Sequence, residues 1–150
     1  MGSEMCIRDS LYDAQLNNTS DRNVRQYKDL DLFFGRKSSN NDVGTVTDIQ
    51  AVKRSIRNLV LLNAFEKPFH PEISSGIRGM LFELMSPVTA ATLTKQIENV
   101  IANYEPRALV RTIRSIPNVD NNAYDVQIEF YVINAPTELV ELTVMLERLR

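Results

Sequence analysis

The middle of the chain carries apolar residues at helical spacing. From residue 49 to residue 60 they recur three or four positions apart, and the basic residues Lys53, Arg54 and Arg57 fall between them. The preceding stretch 47–50, Thr-Asp-Ile-Gln, matches a capping box, in which the Thr hydroxyl and the Gln amide satisfy free backbone N–H groups. We therefore predict a helix that begins at this box and runs to about Leu62.

Two further helices are predicted between residues 75 and 105. Ser86 and Pro87 separate them, because serine suits an N-cap and proline suits the first position of a helix. The second of the two must end near Glu105, since Pro106 disfavours helical geometry in the residue before it. The predicted buried positions are Ile77, Met80, Leu81 and Leu84 in the helix over 75–85, and Leu93, Ile97, Val100, Ile101 and Tyr104 in the next.

After Pro106 the apolar period changes from the helical value to alternation. Residues 109–116 are rich in β-branched side chains with mixed alternation, which favours a strand covered on both faces. A polar turn at 117–122 precedes a strongly alternating strand over 123–133, and a turn at 134–137 precedes another over 139–147. Helices followed by strands predict an α+β fold, with about three helices packed on one face of a small, mainly antiparallel sheet formed by the C-terminal strands.

The first 27 residues show no sustained period and are predicted to be a non-native leader and a mobile arm, with the domain spanning 28–150. Residues 2–10 resemble a translated sequencing-adapter remnant, so Cys6 would not be native, and they lack the pattern of a signal peptide. The alternation of Leu30, Leu32 and Phe34 favours a short strand or an arm fixed to the domain.

Composition then narrows the function classes. The 150 residues include 17 Lys plus Arg and 19 Asp plus Glu, for a net charge of −2, which argues against a protein that mainly binds nucleic acid. One Cys and one His exclude a disulfide scaffold and a Cys/His zinc site. No apolar run approaches the roughly 18 residues of a membrane span. We expect no metal, no cofactor, no nucleic acid and no membrane partner.

No catalytic constellation can be assembled from the sequence. His70 stands alone, and a turn histidine packed near Phe69 is favoured over a catalytic role. Gly76 and Gly79 could flank an anion, but close helix packing is the favoured interpretation. The carboxylates that could form a glycosidase pair lack an aromatic sugar platform, so we predict that the protein is not an enzyme. These carboxylates are Glu83, Glu98 and Glu105.

Two charge patterns stand out. The basic residues 53, 54 and 57 of the first helix are explained by a solvated face ahead of a partner site. Residues 115–147 contain six acidic residues and no Lys or Arg, and most of these acids occupy the odd-numbered face of the strands. A solvated surface and a basic partner explain this face almost equally well. A terminal strand also exposes backbone groups that a partner's strand could pair with.

The tripeptide Glu105-Pro106-Arg107 lies at the junction between the third predicted helix and the sheet. A proline between opposite charges presents both side chains from a stiff turn, and arginine can bind carboxylates or carbonyls in bidentate fashion. The alternative is a helix stop with a local ion pair, worth less than about 1 kcal/mol if exposed.

Several motifs in this order resemble the baseplate wedge family of contractile-tailed phages over residues 28–150. They are Gly-Thr-Val-Thr-Asp at 44–48, Glu-Lys-Pro-Phe-His-Pro at 66–71, Gly-Ile-Arg at 76–78, Leu-Phe-Glu at 81–83, and the Glu-Pro-Arg signature at 105–107. The family includes sheath initiators, a type VI secretion counterpart and the bacterial anti-adaptor IraD, and some of its members are named lysozymes.

The resemblance implies a structural protein of the virion tail baseplate, made in the host cytoplasm and present in multiple copies in a six-fold assembly with other wedge proteins and the tail sheath. Glu105, Pro106 and Arg107 would dock onto the helical core bundle of the wedge. The C-terminal strands would serve as a template for the first sheath ring. Their implied contact residues are Asp125, Gln127, Glu129, Tyr131, Glu141, Thr143 and Glu147.

Three alternatives remain open on sequence grounds. The first is a regulatory binding module of the anti-adaptor kind, and the second is a type VI secretion baseplate component. A lysozyme-like hydrolase is a poor third, because no acid/base pair can be nominated.

Overall fold

The computed structural model describes residues 27–37 and 41–148, and within them the predicted α+β class is confirmed. The predicted leader, with Cys6, lies outside the described residues. None of the helices in the described ranges combines the length and the apolar character needed to cross a membrane. The elements in chain order are β1 (Lys28–Leu30), β2 (Thr45–Thr47), α1 (Asp48–Leu61), α2 (Ile77–Met80), α3 (Pro87–Tyr104), β3 (Ala108–Asn118), β4 (Ala123–Val132) and β5 (Ala135–Glu147).

The C-terminal strands form an antiparallel sheet in the order β3-β4-β5, and the predicted alternation of β4 and β5 is confirmed. The even-numbered side chains from 124 to 132 in β4 and from 140 to 146 in β5 are buried and form the inner face, whereas the odd-numbered ones between them form the outer face. The link between β4 and β5 is tighter than the predicted turn at 134–137, because Ala135 already pairs with Val132 and an irregular register absorbs the extra residues. The buried apolar residues of these strands are Ala108, Ala123, Tyr124, Val126, Ile128, Phe130, Val132, Val140, Leu142, Val144 and Leu146.

The expectation that β3 is covered on both faces is wrong. Leu109 is 56% exposed and Ile116 is 52% exposed. The cause is that β3 lies at an edge of the sheet and the helices pack on one face only. On that inner face, the Thr94 hydroxyl of α3 donates to Ser115 Oγ at 2.9 Å.

Helices α1 and α3 cover the inner face of the sheet. Helix α3 begins as predicted, because Ser86 Oγ accepts the Thr89 N–H at 3.1 Å and Pro87 follows at the first position. Its predicted apolar stripe is one residue too long, since Tyr104 is partly exposed. The helical residues of the core are Val52, Ile56, Val60, Leu93, Ile97 and Ile101, each almost fully buried.

The capping-box hydrogen bond predicted for the Thr47 side chain at the start of α1 is not formed, so this prediction is wrong. Thr47 is the N-cap, but its side chain makes no capping hydrogen bond. Tyr27 replaces it from a distant part of the chain: its N–H donates to Asp48 Oδ1 at 3.1 Å, and its carbonyl accepts the Asp48 N–H at 2.7 Å. Strand β1 pairs with β2 just before this point, so the small sheet places Tyr27 at the helix start.

Helix α2 is much shorter than the predicted helix over 75–85. It spans Ile77–Met80, and the chain then turns, which leaves Leu84 85% exposed. Gly76 is needed for its left-handed backbone at φ +65°. The expected close packing at Gly79 is wrong, because a Cβ atom there would meet no atom within 4 Å.

Candidate docking site at the junction of α3 and β3

Glu105 is a buried carboxylate at the C-terminal end of α3. Only 2% of the residue is exposed, and its oxygens accept hydrogen bonds from the turn that follows and from α1. Arg107 donates through Nε to Oε1 at 2.6 Å and through Nη2 to Oε2 at 2.8 Å, and the Ser55 hydroxyl of α1 donates to Oε2. The arrangement is a bidentate arginine–carboxylate pair with a third donor, which fixes the plane of the guanidinium.

Two opposing effects act on the pKa of Glu105. Burial raises it, but the hydrogen bonds from Arg107 and Ser55 and the charge of Arg107 outweigh burial, so the pKa lies below its usual value of 4.5. The hydrogen bonds with Glu105 likewise raise the pKa of Arg107. Both groups are therefore charged throughout the physiological range.

The backbone of the tripeptide is also fixed. Pro106 is exposed at the turn, and the Ala108 N–H donates across it to the Glu105 carbonyl at 3.2 Å. The Arg107 carbonyl accepts the Ile133 N–H at 3.0 Å, which ties the turn to the end of the β4–β5 hairpin. The turn predicted from the sequence therefore exists, with Glu105 turned inward and Pro106 outward.

Arg107 also contacts the segment 27–37, here called the arm. Its Nη1 lies 3.4 Å from Asp29 Oδ2, and its guanidinium carbon lies 5.4 Å from the centre of the Tyr27 ring. The Arg107 side chain remains 25% exposed. It thus links the buried carboxylate to the arm and still presents a surface to solvent.

Arg54 of α1, the residue directly before Ser55, repeats this pattern. It donates to Asp31 Oδ1, and its guanidinium carbon lies 5.3 Å from the centre of the Phe33 ring. The hydrogen bond from Arg54 lowers the pKa of Asp31. The predicted solvated basic face is therefore wrong for Arg54, although Arg57 is exposed as expected.

The arm packs against the rest of the domain with its charged side inward and its apolar side toward solvent. Asp29 and Asp31 point to the two arginines, whereas Leu30 is 62% exposed and Leu32 is 58% exposed. The strand favoured by the alternation of Leu30, Leu32 and Phe34 is wrong in its position, because β1 ends at Leu30 and the chain turns at 32–33. The Asp29 and Asp31 carboxylates were not predicted as part of the site. Their spacing of two residues, which places both on one side of an extended chain, is the signal that could have identified them.

A groove of about 460 Å³ lies between the arm and α1, with Arg107 in its lining. The α1 side presents Ala51, Arg54, Ser55 and Asn58, which share one helix face. The arm side presents Lys28, Asp29, Leu30 and Leu32.

The residues predicted to contact the tail sheath lie on the outer face of the sheet, which is a surface separate from the turn at 105–107. Glu129 of β4 stands directly opposite Glu141 of β5, and neither makes an ion pair with any residue between 41 and 148 or in the arm. Within the described part of the chain, the Asp125 side chain accepts one hydrogen bond, from Asn118 at 3.2 Å. The remaining members, Gln127, Tyr131, Thr143 and Glu147, occupy the same face in register.

Strand β5 is an edge strand, because it pairs with β4 alone among the described strands. Near its C-terminal end a cleft of about 240 Å³ separates it from α1 and α2. Leu61, Leu81 and Met145 contribute apolar walls to the cleft, and Arg78 and Glu147 lie at its polar side. The open edge and the outer acidic face therefore belong to the same hairpin.

The residues considered for catalysis are scattered. His70 is exposed and its Nδ1 lies 3.0 Å from Glu72 Oε1, and the expected packing near Phe69 is wrong because Phe69 is 97% exposed. Glu98 pairs with Lys95 at 2.8 Å on the surface of α3. Within the described ranges, no three His, Cys, Asp or Glu side chains are grouped so that they could hold a metal ion.

Comparison with known proteins gives one sequence relative and several structural ones. No family model matches the chain. Over 120 residues the chain is 31% identical to the baseplate wedge protein gp25 of Enterobacteria phage T4, and this match covers 80% of the chain and 90% of that protein.

Solved structures share the fold at lower identity. A Geobacter sulfurreducens protein named as a tail lysozyme superposes with a TM-score of 0.61 at 17% identity, covering 67% of this chain and 91% of that one. A chain of the anti-feeding prophage baseplate gives 0.58 at 17% identity, covering 83% and 88%. A chain of the post-contraction pyocin R2 baseplate gives 0.53 at 16% identity, covering 65% and 96%.

Proposed function

The chain belongs to the family of the phage baseplate wedge protein gp25 and has a structural role in a baseplate, and we propose that its Glu105-Pro106-Arg107 turn docks onto the helical core bundle of the wedge in a contractile phage tail. The observation that carries this proposal is the buried, bidentate Glu105–Arg107 pair. It holds an exposed Pro106 and a part-exposed Arg107 in one geometry before any partner binds, which lowers the entropic cost of docking.

The three residues of the turn have different parts in the proposed docking. Glu105 is too buried to contact a partner and instead positions Arg107. Arg107 supplies the contact, because one edge of its guanidinium is held by Glu105 while the side chain remains partly accessible. Pro106 fixes the turn between them.

The test is assembly of the wedge from purified proteins with substitutions at this turn. We expect Arg107→Ala and the double substitution Glu105→Ala/Arg107→Ala to abolish incorporation of the chain into the wedge, and Arg107→Lys to weaken it, since lysine cannot pair in bidentate fashion. The matched control is Arg111→Ala, which removes an exposed arginine of the following strand. Full incorporation of the folded Arg107→Ala variant would refute the docking role.

We further propose that the β4–β5 hairpin is the template for the first sheath ring. Support comes from the open edge of β5 and from the unpaired acidic outer face, which suit a partner strand with basic side chains. The proposed contacts are Asp125, Gln127, Glu129, Tyr131, Glu141, Thr143 and Glu147.

Sheath assembly on the baseplate tests the template separately from docking. Glu141→Lys with Glu147→Lys should leave wedge assembly intact and reduce sheath initiation. Glu83→Lys, a charge reversal at an exposed position outside the sheet, is the control. Normal sheath initiation by the Glu141/Glu147 variant would refute the template.

We propose no catalytic activity for this chain. A glycosidase acid requires a raised pKa, whereas the pKa of Glu105 is lowered by its pairing with Arg107 and Ser55. The protein would act in the virion, as several copies in a six-fold baseplate, after assembly in the host cytoplasm. A turbidity assay on cell walls tests the absence of catalytic activity. Clearing of the cell-wall suspension that is lost when one Glu is substituted would contradict this proposal.

A further inference from the structure

We propose that the loop over 63–74, here called the aromatic loop, binds the apolar cleft beside β5 of a second copy of this chain, and that the Phe69 ring enters that cleft. The contact joins free chains and lies beyond the docking and template roles proposed above. Its two halves, the loop and the cleft, are both present on one molecule.

The aromatic loop is closed at its base and held together inside. The Ser75 N–H and hydroxyl both donate to the Leu62 carbonyl, at 3.1 Å and 2.9 Å. The Asn63 N–H and side-chain amide donate to the two carboxylate oxygens of Glu66, at 2.8 Å and 2.6 Å. A compact surface loop whose ends are joined in this way presents its tip in a defined direction.

The tip of the loop presents two phenylalanine side chains to water. Phe65 is 83% exposed and Phe69 is 97% exposed, and the backbone of each is left-handed at φ +66°. This conformation is unfavourable for a bulky side chain, and strain of this kind is concentrated at segments that bind ligands or partners. Two apolar rings held outward against both penalties are expected of side chains that anchor a partner.

The cleft beside β5 suits one phenyl ring in size and polarity. An apolar cavity of about 150 Å³ is enough to bind benzene, and the cleft has a volume of about 240 Å³. Arg78 lies at its border, where a guanidinium can contact the face of a bound ring. The apolar lining of the cleft consists of Val60, Leu61, Ile77, Leu81, Met145 and Leu146.

A second copy of the chain is the occupant that this arrangement favours. Phe69 does not enter the cleft of its own chain, because its side chain is almost fully exposed. Asn63, the first residue of the loop, lines the cleft, so the loop and the cleft are adjacent halves of one surface. Two such surfaces that face each other across a two-fold axis can each insert a ring into the other's cleft, which is an isologous contact.

The charges also favour a second copy over a membrane surface. The loop carries Glu66 and Glu72 with Lys67, and the border of the cleft carries Arg78 with Glu147. Neither surface has a strong excess of one sign, so two copies can approach without repulsion between like charges. An anionic membrane instead attracts segments with an excess of basic residues, which this loop does not have.

The test is the mass of the natural chain in solution, measured by sedimentation equilibrium as a function of concentration. We expect a monomer–dimer equilibrium, and Phe69→Asn should raise the dissociation constant at least about tenfold. Asparagine tolerates a left-handed backbone but cannot fill the cleft. Phe34→Asn is the matched control, since Phe34 is also exposed and left-handed, at φ +52°, but lies in the arm. A natural chain that stays monomeric, or a Phe69→Asn dimer as tight as the natural one, would overturn the proposal.

A mixing experiment tests both halves of the contact. Leu61→Lys places a charge in the wall of the cleft at the last residue of α1, where a cation suits the helix end, and by itself it should prevent the dimer. A mixture of Leu61→Lys with Phe69→Asn retains one of the two contacts, because an intact ring meets an intact cleft. The mixture should therefore associate more tightly than either variant alone, and a mixture no tighter than its components would contradict the exchange of rings.

A photo-crosslinker at residue 69 identifies the occupant. The expected product joins two copies of the chain, the second of them through a residue that lines the cleft. A product with another baseplate protein and none between free chains would overturn the proposal. So would binding of the chain to vesicles of phosphatidylcholine and phosphatidylglycerol that is lost in Phe69→Asn while no dimer forms.

Discussion

The junction around Glu105 and the outer face of the β4–β5 hairpin both contain several charged side chains, but the two regions differ in whether their carboxylates are paired. At the junction, each of Glu105, Asp29 and Asp31 has an arginine partner. On the hairpin, Glu129 faces Glu141 with no cation between them. Paired charges fix a geometry, whereas unpaired like charges keep a surface hydrated and receptive to a cationic partner.

The difference agrees with the two contacts proposed for this small domain. The junction is held in one geometry in the free chain, because its hydrogen bonds connect α1, the turn between α3 and β3, and the arm. The hairpin instead offers an open strand edge and a surface of one charge sign. The following predictions compare substitutions in these two regions.

The largest expected effect is the loss of folding stability caused by Glu105→Ala. Removing this carboxylate takes the acceptor from the Ser55 hydroxyl and from two of the Arg107 nitrogens, and leaves Arg107 only its longer contact with Asp29, so we expect a loss of about 3 kcal/mol in the free energy of unfolding. Glu129→Ala should change it by less than about 0.5 kcal/mol. Urea denaturation of both variants measures the difference, and equal effects would contradict the contrast between paired and unpaired charge.

The second prediction concerns acid. The pKa of Glu105 is lower in the folded state than its ordinary value of 4.5, so its contribution to stability is present above that value and is lost as the pH falls through the folded-state pKa. Glu105→Gln removes this contribution at every pH. The difference in unfolding free energy between the natural chain and this variant should therefore shrink as the pH falls from 4.5 through the folded-state pKa.

Several other carboxylates also lose stabilising interactions in acid, but they are present in both proteins. Glu66 and Asp31 have lowered pKa values from their hydrogen bonds with Asn63 and Arg54, respectively. Their effects cancel in the difference between the natural chain and Glu105→Gln. A difference that stays constant over the same pH range would show that Glu105 is not paired as described.

A smaller, local effect is expected from Arg54→Ala. This substitution releases Asp31 and Phe33 and should loosen the arm without unfolding the core. The Asp31 N–H, which donates to the Gly44 carbonyl at 2.8 Å, should exchange with solvent severalfold faster. Arg57→Ala is the control, and unchanged exchange in Arg54→Ala would mean that the arginine does not hold the arm.

The sequence predicted well the elements that local pattern alone determines. Helix α3 has a serine N-cap, a proline at its first position and a terminating proline, and its ends agree with the prediction to within a residue or so. Strands β4 and β5 alternate without interruption over most of their length, and their buried face was predicted correctly. Both kinds of signal need no information from distant residues.

The errors arose where distant residues decide the structure. The apolar spacing at 77, 80, 81 and 84 suits a helix, but the chain turns after Met80, and the Phe82 ring lies beneath the Arg148 guanidinium, 5.2 Å away. The start of α1 is satisfied by Tyr27, not by its own capping box.

The candidate site was predicted in the same partial way. The tripeptide at 105–107 is visible in the sequence, but the pairing of Arg107 with Asp29 joins residues 78 positions apart. Ser55 and Arg54 belong to the site only because α1 packs beside the end of α3. Such contacts follow from tertiary packing and leave no local motif.

The smallest expected effect is on the hairpin, where Glu141→Gln should stabilise the isolated chain slightly. It removes one of two like charges that stand opposite each other, which should add about 0.3 kcal/mol at low salt and nothing at high salt. Glu138→Gln is the matched control, because Glu138 lies in the irregular part of β5 and has no cross-strand partner in the register.

This variant separates stability from function within the hairpin. If the acidic face binds a basic sheath strand, Glu141→Gln should initiate sheath assembly less efficiently, although the isolated chain is no less stable. The reason is that the Glu141 charge, which destabilises the free protein slightly, would then contribute to binding the partner. Denaturation of the isolated chain and counting of sheathed baseplates give the two measurements. Lower stability together with normal sheath initiation would show that Glu141 supports the fold, and the contrast with the junction at Glu105 would then be lost.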